Sequence, residues 1–210
     1  MKLLVESQYF PSVTLMKKSI EVSNIKFDEY EPWRKMSFRN RCVVVGSHGA
    51  INLSIPVLEG REQKRLLKEV AIDNRKPWQA QHWKTITSCY NRSPWFAFFE
   101  PELAGLYRQP VELLHEWNRI CLNWVVMKLG APIHVDYLKY VPGEQDGVDE
   151  SQVVDWRNKI TPKSIQTDFP DPVRYHQVFE ERIGFIPHVS ILDLLFCEGK
   201  NARHILGSKA

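Results

Sequence analysis

The sequence predicts an α+β fold, with a mixed or antiparallel sheet in the N-terminal third and a mainly helical remainder. Three observations carry this. Two β-branched runs, Arg41 to Gly46 and Ile51 to Val57, flank Ser47-His48-Gly49-Ala50, a Gly-containing connection that signals a hairpin. Between Pro110 and Leu129 the residues Leu113, Trp117, Ile120 and Trp124 recur on one helical stripe, with proline in the first turn and Gly130 and Pro132 just past the end. The third is balance: 43% hydrophobic and 25% charged residues over 210 positions suffice to bury one core, so a single domain over 1–210 is predicted.

The other elements follow in order. The opening residues alternate loosely up to Gln8-Tyr9-Phe10-Pro11, where proline removes a ladder donor, so a strand and then a turn are predicted. Val13, Met16 and Ile20 oppose Lys17 and Lys18 in a short amphipathic helix, Val13 to Val22, and a second strand follows from Ile25 to Tyr30. Pro56 ends its strand or marks it as an edge, and Lys68 to Asp73 reads as a short strand. Asp73 or Asn74 can cap a helix running from Pro77, on which Trp78, His82, Ile86 and Cys89 share a stripe before Asn91, Ser93 and Pro94 stop it. A strand from Ile133 to Val141 precedes an acidic, Gly-containing surface loop at 143–150. Gln166 to Pro172 reads as a second loop, its prolines and aspartates opposing regular structure. Ser190 with Asp193 forms a capping-box pattern, Gly199 closes that helix, and Asn201 caps a last one through Leu206.

Composition and spacing exclude several functions. The 28 basic and 25 acidic residues leave a formal charge of +3, too even for a chain that neutralises a phosphate backbone, so nucleic acid is not an expected partner. No apolar run approaches the ~18 residues of a spanning helix, and Glu6 interrupts the start before a signal core can form, so a cytoplasmic protein is expected. Cys42, Cys89, Cys121 and Cys197 lack any paired spacing; reduced, mostly buried thiols are predicted rather than zinc or disulfides. Phosphate-loop, dinucleotide, nucleophile-elbow and zinc-hydrolase motifs are all missing; cofactors and a metal held by carboxylates and water, which leaves little spacing signal, are left open.

What remains is a basic segment, a histidine and a charged group. If extended, Lys35, Arg39 and Arg41 share one face at period two and suit a phosphate or carboxylate, for which arginine offers paired planar donors. Asn40 points to the other face, where its amide can hold a loop. A solvated strand is the commoner fate of such a charge run. His82 lies on the stripe of Trp78 and Ile86; a desolvated imidazole stays neutral near pH 7 and can take a proton, which makes it the general-base candidate beside the plainer reading of a satisfied core histidine. Asp155 and Arg157 share a face if extended and form an ion pair that fixes the following loop, near Lys163. Seven tryptophans and seven tyrosines fill the core, with some available to stack on a sugar or base.

These residues, taken in order, resemble the WbqC-like protein family of bacteria. The resemblance runs from Tyr9-Phe10-Pro11 through Lys35-Met36-Ser37-Phe38-Arg39-Asn40-Arg41 and Leu53-Ser54-Ile55-Pro56-Val57. It continues in Trp78-Gln79-Ala80-Gln81-His82-Trp83, Tyr90 with Ser93-Pro94, Asp155-Trp156-Arg157 and Pro162-Lys163. It closes on Tyr175, Gln177-Val178-Phe179, Gly184-Phe185, Ser190 to Phe196 and Gly199. The family often opens with Gln-Pro where this chain has Ser7-Gln8, and Trp33 stands where tyrosine is common, which implies a different substrate if the opening turn binds it.

The resemblance implies a transferase that moves an acyl or aminoacyl group onto a nucleotide-linked sugar in surface-polysaccharide (O-antigen, lipopolysaccharide) assembly. In it His82 takes the proton, while Tyr9, Lys35, Arg39, Asn40, Arg41, Asp155, Arg157, Lys163 and Gln177 are the candidates to bind a small phosphate- or carboxylate-bearing substrate. The alternative is a non-catalytic module that recognises an anionic sugar, a nucleotide or a partner protein through the same face. Donor, acceptor and oligomeric state are left open.

Overall fold

A computed structural model describes residues 2–58, 65–138 and 153–208. Both classes of element are present, with a sheet region in the N-terminal part and a mainly helical remainder, so the fold class is α+β as predicted. The predicted hairpin is β3 (Arg41–Gly46) and β4 (Gly49–Ser54), antiparallel from Arg41 opposite Ser54 to Gly46 opposite Gly49. Its connection is therefore only Ser47-His48. Gly49 takes φ 129°, a conformation that a side chain would strain.

The larger sheet goes beyond what the sequence indicated. Strands β1 (Lys2–Val5), β2 (Asn24–Phe27), β5 (His134–Tyr137) and β6 (Val153–Asp155) lie in the order β5-β2-β1-β6, and all three pairings are parallel. Two of the four strands come from beyond residue 130, so this sheet is neither antiparallel nor confined to the first third. The cause is the connection: α1 (Val13–Val22) crosses from β1 to β2, and parallel neighbours need such a crossover. Ser12 caps α1 through its side chain, which accepts from the Leu15 N–H, and Ser23 ends it in the left-handed conformation.

Helix α2 (Trp78–Tyr90) buries Trp78, His82, Ile86 and Cys89, the stripe that periodicity predicted. Helix α4 (Leu114–Leu129) closes at Gly130 as expected but begins four residues after Pro110. Residues 110–113 are held extended because Ala71 bridges Leu113 and the Ile72 N–H donates to the Glu112 carbonyl. The predicted strand Lys68 to Asp73 is correspondingly a 3-10 turn, Leu67–Glu69, followed by isolated bridges. Helix α3 (Phe96–Leu106) was not legible at all: Phe-Ala-Phe-Phe has no polar face to set a period, and Pro101 lies inside it.

In the C-terminal part, α5 (Ile165–Asp168) is one helical turn inside the predicted loop, whose Pro170 and Pro172 fall after it. A second single turn, α6 (Glu180–Ile183), leads to α7 (Ile191–Glu198) and α8 (Ala202–Gly207). The predicted loop at 143–150 and the end of the predicted strand 133–141 lie outside the described residues. An apolar cluster runs from Leu3 to Leu206 and joins sheet, hairpin and helices. Cys42, Cys89 and Cys121 are buried, Cys197 is half-buried, and all four are free thiols.

Candidate functional site

In an open parallel sheet, ligands bind beyond the carboxyl ends of the strands, at the point where successive strands are laid to opposite sides. Here β2 and β5 are added to one side of β1 and β6 to the other. The residues that follow β1, β2 and β6 form a network of charges at that edge. Glu31 takes a bidentate pair from Arg39 (2.8 and 2.5 Å), and Arg39 also donates to Asn158 Oδ1 at 3.0 Å. The Asn158 N–H donates to Glu6 Oε2 at 2.7 Å, while Glu6 Oε1 is buried with no hydrogen-bond partner. Arg157 bonds both Asp155 (2.7 Å) and Asp28 (2.5 Å). Burial pushes the Glu6 and Glu31 carboxyls up, against the pull of Arg39. Hydrogen bonding from Arg157 holds Asp155 down.

Beside this network, at the ends of β2 and β5, is a cavity of about 420 Å³ lined by Glu29, Tyr30, Lys68, His115, Arg119, Asp136, Tyr137 and Leu138. Helix α4 contributes His115 and Arg119 at i and i+4 from its first turns, so both lie on one face. Arg119 makes a bidentate pair with Glu29 and lies 4.0 Å from the centre of the Tyr137 ring. Lys68 sits 4.2 Å from the centre of the Tyr30 ring. Two polar atoms in this lining, His115 Nδ1 and Tyr137 Oη, are buried without partners. Burial lowers the His115 pKa, opposed by Glu29, and raises the Tyr137 phenol to about 12. His115 is therefore neutral at pH 7 and Tyr137 keeps its proton. The cavity thus holds a proton acceptor, a phenol donor and charges of both signs.

The structure distributes the residues predicted from sequence differently from one basic face. Residues 31–40 form no strand, so the period-two alignment fails. Lys35 is exposed, Arg39 is 0% exposed and committed to Glu31, and Arg41 is a half-buried residue of β3. Asn40 does hold a loop: its amide donates to the Ile55 carbonyl at 2.9 Å. Asp155 and Arg157 pair as expected and, with Arg39, reach the sheet edge. Lys163 is exposed ahead of α5.

His82 is not in a cleft. It is 6% exposed, and its Nδ1 lies 3.0 Å from the Tyr9 hydroxyl, itself 2.5 Å from the Tyr107 hydroxyl. The Ser54 backbone favours the protonated ring, against the larger effect of burial. The imidazole is a core group bonded to Tyr9, its pKa lowered to about 4 by burial.

Tyr9 is itself 0% exposed, and the turn around it is sealed: the Val13 N–H donates to the Val189 carbonyl and the Ser12 N–H to Gln8 Oε1. The opening motif is thus committed to packing. Gln177 is likewise interior. It donates to Asp193 Oδ2 (2.9 Å), which also accepts from Tyr175 (2.7 Å), while Tyr90 donates to Oδ1 (2.8 Å). Asp193 therefore does not complete a capping box; Ser190 caps α7 alone, accepting from Leu192. Three donors hold a carboxyl whose pKa burial raises.

Sequence reasoning missed Glu29, Lys68, His115, Arg119, Asp136 and Tyr137. They come from four separate segments, and the i, i+4 spacing of His115 and Arg119 is the one local signal. Among the described residues no group of three His, Cys, Asp or Glu side chains is placed to hold a metal ion, and no helix is long and apolar enough to cross a membrane.

Fold and site together define an α+β protein with an open parallel sheet that presents ion pairs and a polar cavity at its strand ends. The chain belongs to the WbqC-like protein family, which matches residues 6–163. It is also 26% identical over 226 aligned positions to the uncharacterized protein Rv1507c of Mycobacterium tuberculosis, covering 95% of this chain and 94% of the relative. No solved structure matches it.

Proposed function

We propose that the protein is a transferase that moves an acyl or aminoacyl group onto a nucleotide-linked sugar in surface-polysaccharide assembly, and that the reaction takes place in the cavity at the ends of β2 and β5. The observation that supports this best is His115: a neutral, part-buried imidazole in the same cavity as Lys68, Arg119 and Asp136. An attacking amine or hydroxyl on the acceptor gives its proton to this ring as its nitrogen or oxygen bonds the acyl carbon, and the activated donor's leaving group departs. Lys68 stands where it can stabilise the oxyanion that forms. The Asp155–Arg157–Asp28 network fixes the neighbouring strand ends and keeps the edge rigid.

A binding module is the second reading. The observation that favours it is that the cavity's charges balance, two acids (Glu29 and Asp136) and two bases (Lys68 and Arg119) with Glu29 paired to Arg119, which suits recognition without chemistry. Incubation with nucleotide-sugars and activated acyl or aminoacyl donors, followed by mass analysis, separates the two. The transferase reading expects a mass gain on the acceptor that His115→Gln and His115→Ala reduce by about 10²-fold or more while the melting temperature holds. Binding without a mass change, or full product from both variants, refutes it.

A further inference from the structure

A second cavity, of about 530 Å³, lies on the α2–α3 side of the molecule, and nothing above gives it a role. Its walls include Trp78, Trp83 and Tyr107, and its lining includes Lys76 and Arg108 but no acidic residue. That contrasts with the sheet-edge cavity, where charges cancel. Trp83 is half-buried and fixed from behind: its ring stacks on Phe96 (centroids 6.0 Å, planes 24° apart) and leans on Tyr107 (5.9 Å). Trp78 is held by Trp117 at 85° and by an indole N–H bond to Asn74. The aromatic wall is therefore pre-set, and a planar ring entering it orders no loose side chain. Arg108 and Lys76 are exposed, and neither has an ion-pair partner among the described residues except for the long-range pull of Lys76 on Asp73.

We infer that this cavity binds a nucleoside phosphate, the base lying against Trp83 and the phosphates meeting Arg108 and Lys76. The volume is that of a small-molecule site. Every base has a π-face that aromatic side chains accept without regard to sequence. A neutral sugar would use the rings but leave both cations idle; a guanidinium and an ammonium on an acid-free rim select a phosphorylated ligand. The inference goes beyond the transferase reading and does not rest on it: nucleotide binding here stands whether or not the sheet-edge cavity carries a reaction.

The test is calorimetric titration of the full chain with UDP and with ADP, beside uridine and inorganic phosphate. Both nucleotides should bind, and uridine and phosphate each about tenfold or more weaker, since each keeps half of the contacts. Arg108→Ala should weaken UDP about tenfold and the double variant with Lys76→Ala about 100-fold, with no change in melting temperature because both side chains are exposed. Trp83→Phe, which keeps the packing, should weaken binding less than Trp83→Ala. A wild-type chain that binds UDP but yields no transfer product defeats the transferase reading alone. No heat with either nucleotide, phosphate binding as well as UDP, or a double variant with wild-type affinity each overturns the inference.

Discussion

Replacing His82 with glutamine should remove a pH dependence of stability while leaving the neutral-pH fold intact. The imidazole pKa is about 4 in the folded chain, against an ordinary 6.5. Above pH 6.5 neither state binds the proton. As pH falls from 6.5 towards 4 the unfolded chain takes it up and the folded chain does not, so stability present at neutral pH is lost on acidification. The full difference is about 3 kcal/mol, and most of it, about 2–3 kcal/mol, falls between about pH 7.5 and pH 4.5. Glutamine can donate or accept through its amide, so the Tyr9–Tyr107 pair keeps a polar partner. Only the ring contacts with Trp78 (5.4 Å) and Tyr9 (5.7 Å) are lost, at about 1–2 kcal/mol. Urea unfolding of both proteins at several pH values gives the comparison directly, because every other titrating group cancels between them. The variant should lose about 2–3 kcal/mol less than the wild type over that range. Equal acid slopes would show that the folded imidazole titrates normally, hence meets solvent, and would return His82 to candidacy as a base.

Two further outcomes test the interior polar groups. Arg39→Met leaves Glu31 charged and buried, and should cost about 3–5 kcal/mol in denaturant unfolding; adding Glu31→Met should recover most of it. If the double variant is no better than the single, the pair is not the cause. Asp193→Ala strands the Tyr90, Tyr175 and Gln177 donors and should cost ~3 kcal/mol or more, whereas Ser190→Ala, which removes a cap and one bond to the Phe10 carbonyl, should cost about 1–2 kcal/mol. Similar losses from the two would mean that Asp193 contributes no more than the capping pattern suggested.

The placement of the polar groups also explains why the motifs shared with the family were poor guides to a site. Tyr9, Arg39, Asn40, His82, Gln177 and Asp193 are all bonded within the protein. Each joins segments far apart in the chain: Tyr9 to α2, Arg39 to residues 31 and 158, Gln177 to α7. A buried polar group must find partners of fixed geometry. Such residues define the fold as sharply as catalytic residues define a reaction, and a sequence cannot tell the two apart.

Local periodicity by itself determined a good deal. The stripe of Trp78, His82, Ile86 and Cys89, the Val13 to Val22 helix and the glycine after Leu129 each depend on interactions within a few residues and stand where they were read, and the hairpin was legible too, with its second strand at Gly49–Ser54 rather than 51–57. The pairing of Asp155 with Arg157, two residues apart, was legible for the same reason. Helix α3 was not, since a helix buried on most sides has no polar face to mark its turn. Only tertiary structure could decide that β1 would gather parallel neighbours from residues 24 and 153 onward, and β2 one from residue 134 onward, because parallel pairing leaves no hairpin signal in the chain. The same long-range assembly drew Arg39 inward to Glu31, closed His82 behind Tyr9, and brought Lys68, His115 and Asp136 to one cavity. Burial and convergence belong to the packed whole, and no window of sequence contains them.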